Sequence, residues 1–247
     1  MGSAIAKNLA KKGQKVFVYN KTYVKARDLE KNAKIYAVKS LENLKQADYV
    51  ILAVKPYQLA DLSIEAGLKS PAVLISIAAG VKISTIQKLF SHKKVIRLMP
   101  NLGLSVGLGV AGWKASDLQK SEKASVKKVL DSISQNFEVK TESQIDAVTA
   151  ISGCGPAYFF YFAQGLEKAA LNLGFSPKQA REITEKTFLA SAMLQRGNSY
   201  ADLIQRVASK RGTTEQALKV FSKQDLHKII LKAVTAAQKR AREISNE

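Results

Sequence analysis

The rhythm of apolar residues along this chain changes once, near residue 141. Before that point short apolar runs alternate with amphipathic stretches. After it every apolar series advances by three and four residues, the step of a helix with one buried face. Residues 3–12 have helical spacing through Ile5 and Leu9 and stop at Gly13, a suitable left-handed cap. Residues 15–19 (KVFVY) predict a strand, followed by the polar turn Asn20-Lys21-Thr22, a helical stretch to residue 31, a strand over 33–37 and a helix capped by Ser40. The runs at 49–54 (YVILAV) and 72–77 are uninterrupted, the mark of strands covered on both faces. The first ends at Lys55-Pro56 and the second in the small-residue turn Ala78-Ala79-Gly80. Residues 71–81 are the longest apolar-rich stretch and read as a buried strand plus turn. Ser84 and Gln87 have capping-box spacing before a further helix. Strands follow over 95–98, ending at Met99-Pro100-Asn101, and over 106–113, then a helix over 118–136 and a strand over 137–140. Beyond residue 141 the spacing predicts helices near 143–153, 156–173, 177–196, 200–208, 213–223 and 225–245.

Such alternation predicts a parallel doubly wound sheet, in which ligands bind beyond the carboxyl ends of the strands. Those ends are Asn20-Lys21-Thr22, Val54-Lys55-Pro56, Ala78-Ala79-Gly80 and Pro100-Asn101. The change of rhythm is bridged by residues 146–158 (DAVTAISGCGPAY), where Ser152, Gly153, Cys154, Gly155 and Pro156 gather small side chains at a helix–helix junction. Two readings of that junction stay open: a tight helix crossing without a ligand, and a pocket wall that a ligand approaches closely. The apolar faces of the later helices need cover, either within the chain or from a second copy.

Composition narrows the class. With 247 residues, 46% hydrophobic and 24% charged, the chain has the make-up of a globular protein with one large or two ordinary domains. No apolar run approaches the ~18 residues that span a bilayer. No signal peptide is evident, and Ala6 stands where a myristoylation motif wants Ser or Thr. A single cysteine excludes an internal disulfide, and His92 and His227 are too isolated to suggest a metal site. These features point to the cytoplasm. A formal charge of +19 favours anionic partners: phosphorylated cofactors, carboxylate substrates or nucleic acid. The lysines are spread along helix faces with few aromatics among them, which reads as a basic solvated surface and argues against nucleic acid.

A dinucleotide-binding fold opens with a strand and G-x-G-x-x-G, which delivers a pyrophosphate to a helix N-terminus. Here Gly2 stands where the third glycine belongs; the strand and the first two glycines do not precede it. In the doubly wound order that strand is central, and its loss should cost several kcal/mol against a total stability of ~5–15. Met1 is therefore read as an internal methionine of a longer natural protein. The end of the second strand, where an NAD site carries Asp or Glu, has Asn20-Lys21-Thr22. That set suits a ribose 2′-phosphate and favours NADPH over NADH; an ordinary polar turn is the plain alternative.

Five blocks in order, MGSAI, DYVILAVKP, VIRLMPN, DAVTAISGCGPAY and RGTT (211–214), resemble the pyrroline-5-carboxylate reductase family across nearly the whole chain. The resemblance implies a Rossmann-like NADPH-binding domain over 1–141, here without its first strand and Gly-rich loop. An all-α dimerisation and substrate domain over 142–247 would follow, with the active site at the dimer interface, and higher oligomers occur in the family. It implies reduction of 1-pyrroline-5-carboxylate to L-proline, the last step of proline synthesis. Hydride passes to a cyclic imine that, once protonated, needs no metal or covalent nucleophile. By resemblance, Gly212, Thr213 and Thr214 at a helix start hold the substrate carboxylate, Thr214 is the candidate catalytic residue near the imine, and Ser152 and Gly153 belong to the pocket floor. Gly2 and the 2′-phosphate set Asn20, Lys21 and Thr22 bind the cofactor, with Val54 and Lys55 beside the adenosine and ribose. Ala78, Pro100 and Asn101 are assigned to the nicotinamide side. The chain departs from the family's usual SPGGTT with Ser209-Lys210-Arg211-Gly212-Thr213-Thr214, from MPNTP with Met99-Pro100-Asn101-Leu102-Gly103, and from SGSG with Cys154. These departures keep open two other readings: a reductase for another cyclic imine, and a non-catalytic paralogue with a binding or regulatory role.

Overall fold

The apolar runs become the strands of a Rossmann-like unit. In the computed structural model, which describes residues 1–31, 34–62 and 72–245, the strands are β1 (Val16–Tyr19), β2 (Ile35–Val38), β3 (Tyr49–Leu52), β4 (Val73–Ser76), β5 (Val95–Pro100), β6 (Val110–Ala115) and β7 (Gln135–Glu138). β1 and β2 pair in parallel, with Val16 opposite Ile35 and Tyr19 opposite Val38. The other five form a second sheet in the order β3-β4-β5-β6-β7. All of its pairs are parallel except β5 with β6. Residues 101–109 are too few for a crossover connection, so β6 must return antiparallel to β5. Among the described residues the two sheets share no ladder, and the break falls where the doubly wound order expects its central strand.

Helix α1 (Gly2–Lys11) spans that break. Ile5 and Leu9 pack into one core with Val73, Ile75, Ile96 and Leu98 of the larger sheet. Ala6 and Ala10 face Leu29 and Ile35 beside the smaller one. Each of the two large residues contributes about 1.5–3 kcal/mol by burial. Asn8 then fixes the helix azimuth: its Nδ2 donates to the carbonyls of Leu104 and Ile133 at 3.2 and 3.1 Å.

Local departures from the sequence reading have identifiable causes. The helix expected to residue 31 is regular only as α2 (Tyr23–Arg27). Ser40 does cap, but it caps a 3₁₀ turn, Leu41–Leu44, accepting the Glu42 N–H at 3.2 Å. Helix α3 (Ile83–Leu89) starts before Ser84, and its first N–H, on Ile83, donates to the carboxylate of Glu142 at 3.0 Å. A 3₁₀ turn, Leu102–Val106, occupies the start of the strand expected from 106. Helix α4 (Lys120–Ile133) is shorter than its apolar pattern, because β7 begins at Gln135. Residues 33 and 71, at the starts of two predicted segments, lie outside the described residues.

Helix α5 (Glu142–Val148) lies close on the sheet because Gly112 of β6 has no side chain; a Cβ there would fall 2.8 Å from Val148 Cγ2. It continues into a single π turn, Thr149–Gly153, closed by the Cys154 N–H donating to the Thr149 carbonyl at 2.9 Å. Because α5 and this turn pack on β5 and β6, the first compact unit runs through Cys154.

The second unit, Gly155–Thr235, is helical: α6 (Gly155–Asn172), α7 (Pro177–Leu194), α8 (Tyr200–Val207), α9 (Thr213–Lys223) and most of α10 (Leu226–Ile244). Ser176 and Gln179 form the capping box of α7, and Phe159 of α6 meets Phe188 of α7 with ring centroids 6.1 Å apart. Phe160, Tyr161, Leu189, Leu194, Ile230 and Leu231 are exposed. The final turns of α10 belong to the first unit. Arg242 Nη2 donates to Ser143 Oγ at 3.2 Å. Ile244 packs on Gly80, where φ is +76° and a Cβ would fall 2.3 Å from Ile244 Cγ2.

Two measurements follow from this packing. Gly80→Ala meets both a left-handed backbone and the Ile244 side chain, and should cost about 1–3 kcal/mol in urea unfolding. Adding Ile244→Ala should recover only part of the steric loss, because Ile244 Cβ stays 2.8 Å from the new methyl group. Glu122, which caps α4, has its carboxyl held below the ordinary range by the hydrogen bond from Lys94, then by the backbone N–H of Gln119. A depressed folded pKa gives stability that is present above the unfolded value of about 4.3 and is lost as pH falls through the folded one. Glu122→Gln should therefore lower the urea midpoint at pH 7 and leave a shallower loss on acidification below about pH 4.3.

Candidate cofactor and substrate site

Parallel pairing fixes what stands at the strand ends. Because Tyr19 is opposite Val38, the residues that follow, Asn20 and Lys39, lie side by side past the carboxyl ends of β1 and β2. Asn20 Oδ1 accepts the Thr22 N–H at 2.9 Å, an Asx turn that leaves Lys21 at its apex. Lys39 Nζ lies over the ring of Tyr23, 5.3 Å from its centroid. Asn20, Lys21, Thr22 and Lys39 are all exposed, and none of the four is acidic. This is a donor-rich, cationic corner. Lys39 was not among the residues singled out from sequence; the signal lay in the register of two parallel strands, not in either strand alone.

The end of β3 meets the start of α1. A Cβ on Gly2 would stand 3.1 Å from Ala53 Cβ, so the glycine permits the helix N-terminus to close on that strand end. Val54 is half-buried against the core beneath β3. Lys55 is exposed, with its N–H donated to Gln58 Oε1 at 3.1 Å. After β4, Ala78 is buried and its N–H donates to Ser76 Oγ at 3.3 Å. After β5, Pro100 is buried and Asn101 is braced in both directions. Its N–H donates to the Val110 carbonyl and its Oδ1 accepts the Val110 N–H, each at 3.2 Å. Gly103 is needed here, since a Cβ would fall 2.8 Å from the Leu108 carbonyl oxygen.

Beneath these ends lies a charge that sequence reading did not single out. Arg97, in the middle of β5, is 1% exposed. Its Nη2 donates to Asp146 Oδ1 at 2.7 Å and its Nη1 to Glu142 Oε1 at 3.3 Å, both on α5. Above Asp146, on the π turn, Ser152 Oγ is buried and has no hydrogen-bond partner among the described residues. A buried hydroxyl without a partner is uncommon, and π turns recur where helices carry function. A Cβ on Gly153 would make only ordinary contact, 3.7 Å from Thr149 Cγ2, and one on Gly155 would meet nothing within 4 Å. The junction's glycines are therefore not accounted for by a tight crossing among the described residues.

The second unit carries the remaining candidates. Gly212 is the N-cap of α9, and Thr213 and Thr214 are its first two residues. A Cβ on Gly212 would fall 2.4 Å from Ser209 Oγ. Arg211 adopts φ +60°, the left-handed region where the related pattern has glycine. Such strain costs on the order of 1–3 kcal/mol, and the Arg211 N–H donating to Glu215 Oε2 at 2.6 Å offsets part of it. The turn is thus held by a hydrogen bond instead of by residue type.

Comparison with known proteins agrees with this architecture. Residues 142–244 match the family model described as pyrroline-5-carboxylate reductase dimerisation, and residues 1–80 match NADP oxidoreductase coenzyme F420-dependent. The pyrroline-5-carboxylate reductase of Haemophilus influenzae is 34% identical over 206 residues, 81% of this chain and 76% of that protein. That of Staphylococcus saprophyticus is 32% identical over 247 residues, 94% and 91% of the two chains. Among solved structures, a pyrroline-5-carboxylate reductase from Coxiella burnetii superposes with a TM-score of 0.85 at 31% identity, covering 99% of this chain and 94% of that one. The Plasmodium falciparum pyrroline carboxylate reductase with NADP bound gives 0.80 at 26% identity over the same shares. With a relative 34% identical over 81% of this chain and 76% of its own length, the chain belongs to the pyrroline-5-carboxylate reductase family.

Proposed function

We propose that the protein reduces 1-pyrroline-5-carboxylate to L-proline with NADPH as the hydride donor. The observation that carries this reading is the cationic corner past β1 and β2, in a chain whose relatives over most of its length are such reductases. Asn20, Lys21 and Thr22, with Lys39 beside them, match a ribose 2′-phosphate in charge and in donors, and no carboxylate stands among them to repel it. NADPH fits there better than NADH. Gly2 opens the N-terminus of α1 to the pyrophosphate, and Val54 and Lys55 flank the adenosine and its ribose. Ala78, Pro100 and Asn101 present small or braced surfaces on which a flat nicotinamide can rest.

NADPH held there would supply a hydride to ring C5 of the protonated imine, whose C=N bond would become CH–NH. The protein's part is to hold the imine, exclude water and stabilise charge. Thr213 and Thr214, with the backbone N–H groups opening α9, hold the substrate carboxylate, and Thr214 is the side chain nearest the imine. Ser152 Oγ gains from a polar ligand the partner it lacks among the described residues. The exposed apolar residues of α6, α7 and α10 are covered by a second copy, which makes the protein a homodimer through its C-terminal helices, a unit from which larger rings can be built. No helix among the described residues is long and apolar enough to cross a membrane. The proposed setting is the cytoplasm, with no nucleic acid or membrane as partner.

Two substitutions separate the roles. Lys21→Ala should weaken NADPH binding about tenfold, the loss of one charge-assisted contact, and leave NADH binding unchanged. Equal loss of both cofactors would remove the 2′-phosphate assignment. Thr214→Ala should raise KM for pyrroline-5-carboxylate with unchanged NADPH affinity, followed by NADPH fluorescence and initial rates. Normal NADPH binding without turnover in the parent protein would instead favour another cyclic imine, and no binding at all a non-catalytic paralogue.

A further inference from the structure

We infer that Arg97 and Asp146 are a positioning pair for the proposed reduction, holding the turn Thr149–Gly153 at a fixed height against the carboxyl end of β5. The inference rests on the function proposed above and concerns residues outside the set assigned there to cofactor and substrate.

A guanidinium in the middle of a fully buried strand is an expensive choice. Withdrawing it and a carboxylate from water costs several kcal/mol per ion, and apolar residues of similar volume commonly do as well or better for stability. The cluster is also incompletely satisfied, since Arg97 Nε has no hydrogen-bond partner among the described residues. Stability alone therefore gives a poor account of these residues; their geometry gives a better one. Pro100 lies three residues beyond Arg97, about 10 Å along a strand. Ser152 lies six residues beyond Asp146, at most about 9 Å along the helix because its last residues form the wider π turn. The 2.7 Å bond thus joins the bases of two arms of matching length. One arm ends in the nicotinamide-side residues and the other in the pocket floor. A guanidinium fork fixes direction as well as distance, which packed methyl groups do not. Glu142 extends the same lock: it takes Arg97 Nη1 and the Ile83 N–H together, tying in the helix that follows the Ala78–Gly80 turn. Ser245 Oγ, near the end of the chain, reaches Asp146 Oδ1 at 3.4 Å.

The test separates position from stability. Single removal of either partner strands a buried charge and can unfold the chain, so the informative variant is Arg97→Met with Asp146→Leu, which removes both charges and keeps the volume apolar. It should keep the parental urea midpoint and bind NADPH within about threefold. Its kcat for pyrroline-5-carboxylate should fall at least tenfold. By mass spectrometry, amide hydrogen exchange over residues 149–154 should quicken at least tenfold. Arg97→Lys keeps the charge without the fork and should fall between the parent and the double variant in both readouts. Parental kcat or parental exchange over 149–154 in the folded double variant would overturn the inference. If the parent itself fails to oxidise NADPH with this imine, the functional reading falls, and exchange alone then decides whether the pair holds the turn.

Discussion

Ten residues of helix hold the first unit together. Among the described residues its strands lie in two sheets with no ladder between them. Helix α1 packs on both, with Ile5 and Leu9 in one core and Ala6 and Ala10 in another. Side-chain packing is less directional than a β ladder, which is why the two hydrogen bonds from Asn8 matter: they fix rotation about the helix axis, which apolar burial leaves soft. The cationic corner stands on the smaller sheet, and the residues proposed for the nicotinamide side stand on the larger. The seating of α1 therefore decides whether one extended dinucleotide can reach both.

Within the larger sheet the organising element is electrostatic. Once Arg97 is buried, its partners are not optional, and meeting that demand brings α5, the start of α3 and the end of the chain to one place. Glu142 shows the economy of the arrangement. The same oxygen satisfies a helix terminus and a guanidinium, so α3 needs no cap of its own from Ser84.

Much of this was legible in the sequence, for physical reasons. Strands buried on both faces read as unbroken apolar runs, and YVILAV and the run over 72–77 did so plainly. The cationic turn at Asn20–Thr22 and the helix start at Thr213 were visible because caps and turns are local chemistry. What escaped is long-range. Lys39 gains its interest only from parallel register with β1. Nothing marks Arg97 within its predicted strand until Asp146, 49 positions away, is folded against it. The capping-box pattern at Ser84 misled for the same reason: a carboxylate 59 residues distant reaches the helix first. The return of β6 antiparallel to β5 was available in principle from loop length, but the alternating pattern outweighed it.

The helical unit is an insertion between two parts of the first one, which resumes only with the last turns of α10. Ile244 rests on Gly80, and Arg242 and Ser245 reach α5, so the unit that begins at residue 1 is completed by residues near 245. Joining such distant ends from an unfolded chain carries a loop-closure entropy that grows with the intervening length. Folding of residues 155–235 as helices shortens that loop before it must close. During synthesis the ion-pair cluster and the Gly80 turn stay uncovered until the last helix has emerged. The packing of the first unit is therefore completed only once α10 has been made.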